Sequence, residues 1–271
     1  MYAFNYQNPS SSAAAIAAAA AATSGDSRYL AGGQSLVQAM KLRLSQTGTL
    51  VDLNAISELR GITVAAGRVI IGAMTRHSEV ARSAEVKKAI PALADLAGGI
   101  GDQMVRNMGT LGGSLANADP AACYPAAVLA LGATVKASLD QTARTINADD
   151  FFKGLFETTL APGELITSVE FPMPDKAGYV KFKQPASRFA LVGVFVAKFG
   201  GSVRVAVTGA RASVFRATDI EAALTKSFTP EAAAAVKVSA AGMNSDLFGS
   251  AEYRAAMVSV MASRAVAKAL A

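Results

Sequence analysis

Two prolines separated by one residue, Pro172 and Pro174, divide this chain into parts with different sequence patterns. Proline fixes φ and cannot donate to a strand ladder, so a strand is expected to end here and a stiff connector to follow. Helical and strand-like segments alternate before this point, whereas apolar strands separated by turns come after it. The two patterns predict an α+β fold, with a larger N-terminal domain followed by a smaller domain of antiparallel sheet and helices.

The expected elements follow from hydrophobic periodicity and turn residues. The alanine-rich run at 13–22 is predicted to be a helix capped by Ser10, Ser11 or Ser12. It is not predicted to be a signal peptide, because a signal peptide has basic residues before its apolar stretch and none precede this run. The run is also too short to span a membrane. Further predicted elements are helices at 35–44, 76–99, 126–131 and 250–271, a loop at 109–125, hairpins at 62–71 and 134–146, strands at 28–31, 49–53, 165–171, 179–183, 191–199 and 203–209, a capping box from Thr218 to Glu221, and a helix start at Thr229-Pro230.

Composition excludes several classes of function. The net charge is +6, from 26 basic and 20 acidic residues, but Lys87-Lys88 is the only adjacent basic pair, so the concentrated basic face typical of nucleic-acid binding is not predicted. The positive balance suits an anionic cofactor or an acidic partner. One cysteine, Cys123, and one histidine, His77, cannot by themselves complete a zinc or iron–sulfur site. A single cysteine also forms no internal disulfide, which fits a reducing cytoplasm.

Two glycine pairs carry the chemistry that can be predicted from residue types alone. They lie in Ala31-Gly32-Gly33-Gln34-Ser35-Leu36 and in Thr110-Leu111-Gly112-Gly113-Ser114. Glycine allows backbone N–H groups to approach a phosphate, and consecutive amides can form an anion-binding concavity. Two such loops could hold the two phosphates of one dinucleotide, although ordinary tight turns remain the alternative. Neither loop is a GxGxxG or Walker A sequence.

The two loops closely resemble those of the FAD-binding medium subunit of the xanthine dehydrogenase and carbon monoxide dehydrogenase family. The opening at 4–9, the segments 51–54, 114–120 and 164–172, and the stretch 181–192 resemble it as well. This resemblance implies an FAD-binding domain at 1–174 of the PCMH or vanillyl-alcohol-oxidase-like type, with subdomains at about 1–54 and 55–174. It also implies a carbon monoxide dehydrogenase flavoprotein C-terminal-like domain at 175–271. The AGGQSL form of the first loop is nearer to the carbon monoxide dehydrogenase-like branch.

The family's cofactor contacts can be carried over only to matching positions. The resemblance implies that the first loop and the Thr-Leu-Gly-Gly-Ser loop hold the FAD diphosphate, that Ile100 and Ile166 lie beside the cofactor, and that Lys183 is a basic residue near it. The implied cofactor-binding set is Ala31, Gly32, Gly33, Gln34, Ser35, Leu36, Ile100, Thr110, Leu111, Gly112, Gly113, Ser114, Asn117, Asp119, Cys123, Ile166 and Lys183. No catalytic residue and no metal ligand is expected in this chain.

Three positions depart from the family or need separate interpretation. Cys123 stands where members often have Asp, and a thiol does not accept hydrogen bonds as a carboxylate does. Phe189 stands where some relatives have a Tyr near the flavin. No histidine lies in the first loop, so FAD is expected to be bound non-covalently. His77 is expected at the surface or at a domain interface, with a role at the flavin edge as the alternative.

The resemblance implies an electron-transfer function within a larger enzyme. Partners would be a small subunit with two [2Fe–2S] clusters and a large subunit with molybdopterin, in a dimer of heterotrimers located in the cytoplasm. Electrons would pass from the clusters to FAD and then to an external acceptor. Two alternatives remain open from the residues: a self-contained flavin oxidoreductase acting on a small molecule, and a non-catalytic assembly subunit that has lost FAD.

Overall fold

The computed structural model describes residues 1–22, 26–140 and 142–271. Its first unit is a three-stranded parallel sheet with β3 between the other two strands. The strands are β1 (Asn5–Gln7), β2 (Ser27–Leu30) and β3 (Thr49–Asp52), and the helices beside them are α1 (Ser12–Ala20) and α2 (Leu36–Lys41). Asn54 closes this unit by donating through Nδ2 to the carbonyl oxygen of Ala31 at 3.1 Å.

Helix α1 forms from the alanine-rich run, as predicted. Ser11 is the residue that caps it, since its side chain accepts a hydrogen bond from the backbone N–H of Ala14 at 3.2 Å. Ala15, Ile16 and Ala19 face a small core that also contains residues of β3.

The second unit is an antiparallel sheet of five strands in the order β4-β5-β10-β6-β7. Ala66 and Gly67 join β4 to β5 with φ values of 49° and 71°, as a two-residue type I′ hairpin turn requires. The strands are β4 (Ile62–Ala65), β5 (Arg68–Gly72), β6 (Thr134–Leu139), β7 (Thr142–Asn147) and β10 (Leu165–Pro172), and β8 (Phe152–Gly154) pairs with β9 (Glu157–Thr158) beside them. Both predicted hairpins are confirmed.

Short helices cover this sheet. They are α3 (His77–Arg82), α4 (Ala84–Ala89), α5 (Pro91–Gly98), α6 (Gln103–Met108), α7 (Leu111–Asn117), α8 (Tyr124–Ala130) and α9 (Ala148–Phe151), with a short 3-10 helix at Ser57–Leu59. The prediction of a loop over 109–125 was wrong, because α7 occupies much of it. Thr110 starts α7 by accepting a hydrogen bond from the N–H of Gly113 at 3.2 Å, and this cap together with tertiary contacts offsets the low helix propensity of two glycines.

The third unit begins after the two prolines and contains the predicted antiparallel sheet, in the order β11-β12-β13-β14. Its elements are β11 (Lys176–Lys183), β12 (Ala190–Phe199), β13 (Ser202–Thr208), β14 (Phe215–Arg216), α10 (Thr218–Lys226), α11 (Pro230–Ala234) and α12 (Ala251–Leu270). Thr229 caps α11, as expected.

The capping box predicted at Thr218 was wrong. Ala217 precedes the first helical residue of α10 and makes no side-chain cap bond. Glu221 is buried and has other partners: it accepts from the N–H of Val205 at 2.9 Å and pairs with the guanidinium of Arg216 at 2.6 Å. Its carboxylate therefore fixes α10 to the sheet instead of closing the helix start.

Strand β12 joins the second and third units because both of its faces are buried. Phe195 and Ala197 belong to the large core around α5 and α8, whereas Val194 and Val196 on the opposite face belong to the core under α12. Such burial agrees with the nearly unbroken apolar run of this strand. None of the helices in the described residues is long and apolar enough to cross a membrane.

Candidate functional site

A cleft of about 960 Å³ lies between the first unit, the second sheet and the end of β11 with the turn that follows it, and both glycine loops line it. Most of the residues expected to bind a cofactor meet here. Those that line the cleft are Ala31, Gly32, Gly33, Gln34, Ser35, Leu36, Ile100, Gly112, Gly113, Ser114, Asn117, Asp119, Cys123 and Ile166. The sequence thus brings segments from four separate parts of the chain to one concave surface.

The two loops touch each other. A Cβ on Gly32 would strike the backbone of Met108 and Gly109, and a Cβ on Gly113 would lie 3.1 Å from the Cβ of Ala31. Gly33 has a φ of 69°, a region that L side chains rarely adopt. Glycine is therefore required here both for the close approach of the loops and for the conformation of the first one.

The first loop presents free backbone donors. Within residues 1–22, 26–140 and 142–271, the N–H groups of residues 32–36 make no hydrogen bond to protein. Ser35, which directly precedes α2, also makes no side-chain cap bond. Successive free N–H groups that run into a helix start form an anion-binding arrangement.

The second loop differs from the expected amide cradle, because its donors are already used. Leu111 donates to the carbonyl of Thr75 at 3.1 Å, Gly112 to that of Ala73 at 2.8 Å, and Gly113 to the side chain of Thr110 at 3.2 Å. This segment therefore contributes the first turn of α7 and the side chain of Ser114 to the cleft, and only the first loop offers a row of free N–H groups.

Three of the expected site residues lie outside the lining. Thr110 is the buried cap of α7, and Leu111 is fully buried in the core. Lys183 is exposed at the end of β11, where the register against β12 shifts after Phe182. A shift of this kind redirects the strand locally, and it separates Lys183 from Lys181, the lysine that does line the cleft.

Lys181 was missed in the sequence because only Lys183 matched the resemblance. Its Nζ donates to the carbonyl of Arg188 at 2.7 Å and lies 3.4 Å from Sγ of Cys123. Cys123 is buried where the family often has a carboxylate, so an ammonium group faces a thiol at this end of the cleft. Phe189 also lines this end and packs edge-to-face on Phe248, with ring centroids 5.7 Å apart.

The charges around the cleft favour an anion. Its lining includes the cations Arg28, Lys181 and Arg188 and the anions Asp119 and Glu164. Both carboxylates have internal partners: Asp119 accepts from the N–H of Ala121 at 2.8 Å, and Glu164 is paired with Arg144 at 2.6 Å. The Arg144 guanidinium holds the pKa of Glu164 below its usual value.

His77 is buried in the wall of this cleft, so the expectation of a surface position was wrong. The expectation of an interface position is not contradicted, since Gly109 beside the ring meets Gly32 of the first unit. It is the first residue of α3, it is 5% exposed, and its ring lies 5.3 Å from that of Tyr124. Burial, and secondarily the charge of Arg106, lower its pKa to about 4. The spacing of apolar residues around His77 does not distinguish a buried helix start from an exposed one, so the sequence alone did not indicate this burial.

Comparisons with known proteins agree with this geometry. A family model described as "FAD binding domain in molybdopterin dehydrogenase" matches residues 2–174. The glyceraldehyde dehydrogenase medium chain of Sulfolobus acidocaldarius is 38% identical over 203 residues, which cover 72% of this chain and 72% of that protein. The carbon monoxide dehydrogenase medium chain of Hydrogenophaga pseudoflava is 35% identical over 238 residues, 84% of this chain and 83% of that one.

Solved structures extend the similarity over the whole chain. The structure described as reconstituted CO dehydrogenase from Oligotropha carboxidovorans superposes with a TM-score of 0.90 at 33% identity, and the match covers 99% of this chain and 98% of that one. The similarity therefore includes the third unit as well as the residues that the family model matches.

Proposed function

Because this chain belongs to the family of FAD-binding domains of molybdopterin dehydrogenases, we propose that it is the electron-transfer subunit of a molybdenum hydroxylase complex. In this function it accepts electrons from [2Fe–2S] clusters of a partner subunit and passes them to an external acceptor. The chain is a flavoprotein of the oxidoreductase class, related to subunits named as dehydrogenases. The observation that carries the proposal is the row of free N–H groups beside the second loop, in a cleft with three cations.

The residues of the cleft fit FAD. The N–H groups of residues 32–36 would bind one or both phosphates, and the start of α7 with Ser114 would close the other side. Lys181 and Arg188 would add positive charge, while Ile100 and Ile166 provide apolar surface. With no histidine in the first loop, binding is non-covalent. Bound FAD would supply the exchange between paired and single electrons, and the protein's part is to bind, orient and shield it.

Partner subunits follow from the same proposal. The relatives are named medium chains, which implies assembly with other chains, and we infer a small [2Fe–2S] subunit, a large molybdopterin subunit and a dimer of heterotrimers. We expect a cytoplasmic location, which the single cysteine supports. Relatives named for glyceraldehyde and for carbon monoxide are almost equally similar to this chain. We therefore infer that the large subunit, and not this chain, determines which substrate the complex oxidises.

Cofactor content is the first test. The purified chain should show a flavin absorption band that acid or heat releases as FAD. A folded chain that neither carries FAD nor takes it up on reconstitution would support the assembly-subunit alternative.

Electron transfer is the second test. The FAD-loaded chain is mixed with the partner subunits and the substrate of the large subunit, with and without the [2Fe–2S] subunit. Flavin absorbance should bleach only when that subunit is present. Turnover of a small-molecule substrate by the chain alone would instead support the self-contained oxidoreductase.

A further inference from the structure

The single histidine of the chain lies where the two glycine loops meet. The backbone N–H of His77 donates to the carbonyl of Gly109 at 2.9 Å, and a Cβ on Gly109 would lie 2.6 Å from Nε2 of the imidazole. Gly109 in turn meets Gly32 of the first loop. The imidazole, Gly109 and Gly32 therefore lie side by side, and all three line the cleft.

We propose that His77 is a further FAD-binding residue, and that its Nε2–H donates a hydrogen bond to the diphosphate of the cofactor at the junction of the two loops. This inference rests on the proposed function. It adds a side-chain donor to a site otherwise made of backbone N–H groups and cationic side chains.

The environment of the ring determines which nitrogen carries the proton. Nδ1 is buried and has no hydrogen-bond partner among the residues that the structure describes. A neutral imidazole has one N–H and one acceptor nitrogen, and an enclosed N–H without an acceptor is a costly arrangement. The proton is therefore held at Nε2, which is the nitrogen beside Gly109 and the cleft.

The ring is a neutral donor. Burial and the charge of Arg106, whose guanidinium is fixed to the carbonyls of Ile100 and Gly101, hold the pKa of His77 at about 4. The buried hydroxyl of Tyr124 on the neighbouring ring also has no hydrogen-bond partner among the described residues. A neutral N–H can bind an anionic oxygen without taking up a proton.

The sequence allows a direct test on the unmodified protein, because a chain labelled with [15N]histidine gives imidazole signals from one residue only. The full chain is freed of FAD and titrated with FAD, ADP and riboflavin. FAD and ADP, which contain the diphosphate, should shift the Nε2 signal and slow the exchange of its proton. Riboflavin should leave the signal unchanged.

A pair of variants gives an independent measurement. His77→Leu removes the donor, whereas His77→Gln keeps an N–H group at a similar distance from the backbone. The dissociation constant for FAD should rise about tenfold in His77→Leu, as expected for one hydrogen bond to a charged group, and stay within about twofold of the wild type in His77→Gln. Thermal unfolding without FAD shows whether either variant is misfolded, and in that case the NMR titration decides.

The outcomes separate this inference from the proposed function. If the wild-type chain binds FAD while the Nε2 signal and the affinity of His77→Leu are unchanged, the assignment of His77 is wrong and the flavoprotein function stands. A shift with riboflavin alone would also overturn it, since the contact would then be to the flavin ring. If the folded wild-type chain does not bind FAD, both proposals fail.

Discussion

The burial of His77 makes the stability of the chain depend on pH in a defined window. Its pKa is lowered from 6.5 to about 4 in the folded chain. Below about pH 6.5 the unfolded chain therefore takes up a proton that the folded chain refuses, so acidification favours unfolding until about pH 4, where both forms are protonated. Above pH 6.5 neither form is protonated at this residue, and the effect disappears.

The size of the effect follows from the shift in pKa. The difference between pKa values of 6.5 and about 4 lowers the free energy of unfolding by about 3 kcal/mol at the acidic end of the window. At about pH 5 the loss relative to neutral pH is about 2 kcal/mol. Because residue His77 is only 5% exposed, screening by solvent reduces this value little.

The assay compares urea unfolding of the FAD-free wild type and of His77→Gln, which does not titrate, at about pH 7.5 and about pH 5. Between these two pH values, the free energy of unfolding should fall by about 2 kcal/mol more in the wild type than in the variant. Carboxylates such as Glu164 and Asp246 have lowered pKa values, so the stability that they contribute is lost only as the pH falls through those values. This loss is the same in both proteins. Equal pH dependence of the two proteins, or a histidine NMR midpoint near its ordinary value, would refute the reasoning.

Three further predictions concern the loops, the lysines and the join between the units. Gly32→Ala should abolish FAD retention because its Cβ strikes backbone, whereas Gly201→Ala, which adds a methyl group in open space, should retain the flavin absorbance of the wild type. Lys181→Met should raise the dissociation constant for FAD several-fold by fluorescence titration, and Lys183→Met, changed outside the cleft, should not. Thr208→Val removes a buried hydroxyl that contacts two loop carbonyls at 2.7 and 2.6 Å, and urea unfolding should show a loss of about 1–3 kcal/mol.

Much of the fold could be predicted because local pattern and tertiary structure agree. The hairpin at Ala66-Gly67 and the helix after Ser250 have turn and cap residues that act within a few positions. Helix α2 was predicted to continue to Leu44, but Arg43 has a φ of 59° and Leu44 is 79% exposed. A left-handed residue that is not glycine leaves no clear signal in the sequence.

The site was predictable in its glycines and less so in its chemistry. Most of the residues that the resemblance indicated do line the cleft, yet the resemblance could not show that the N–H groups of Gly112 and Gly113 are used inside the protein. Nor could it distinguish Lys181 from Lys183, since that difference depends on a register shift between two strands. The burial of His77 could not be predicted for a similar reason, because residues that pack on it, such as Tyr124, are distant in sequence.

Because β12 contributes to the cores of both the second and the third unit, the flavin-binding part is not expected to fold when the third unit is removed. Cutting the chain after Pro174 would remove Phe195 and Ala197 from the large core and leave apolar side chains on α8 facing water. A fragment that ends there should precipitate or bind hydrophobic dyes, even though it would contain both glycine loops. A fusion protein designed to contain this flavin site would therefore have to include residues 175–271 as well.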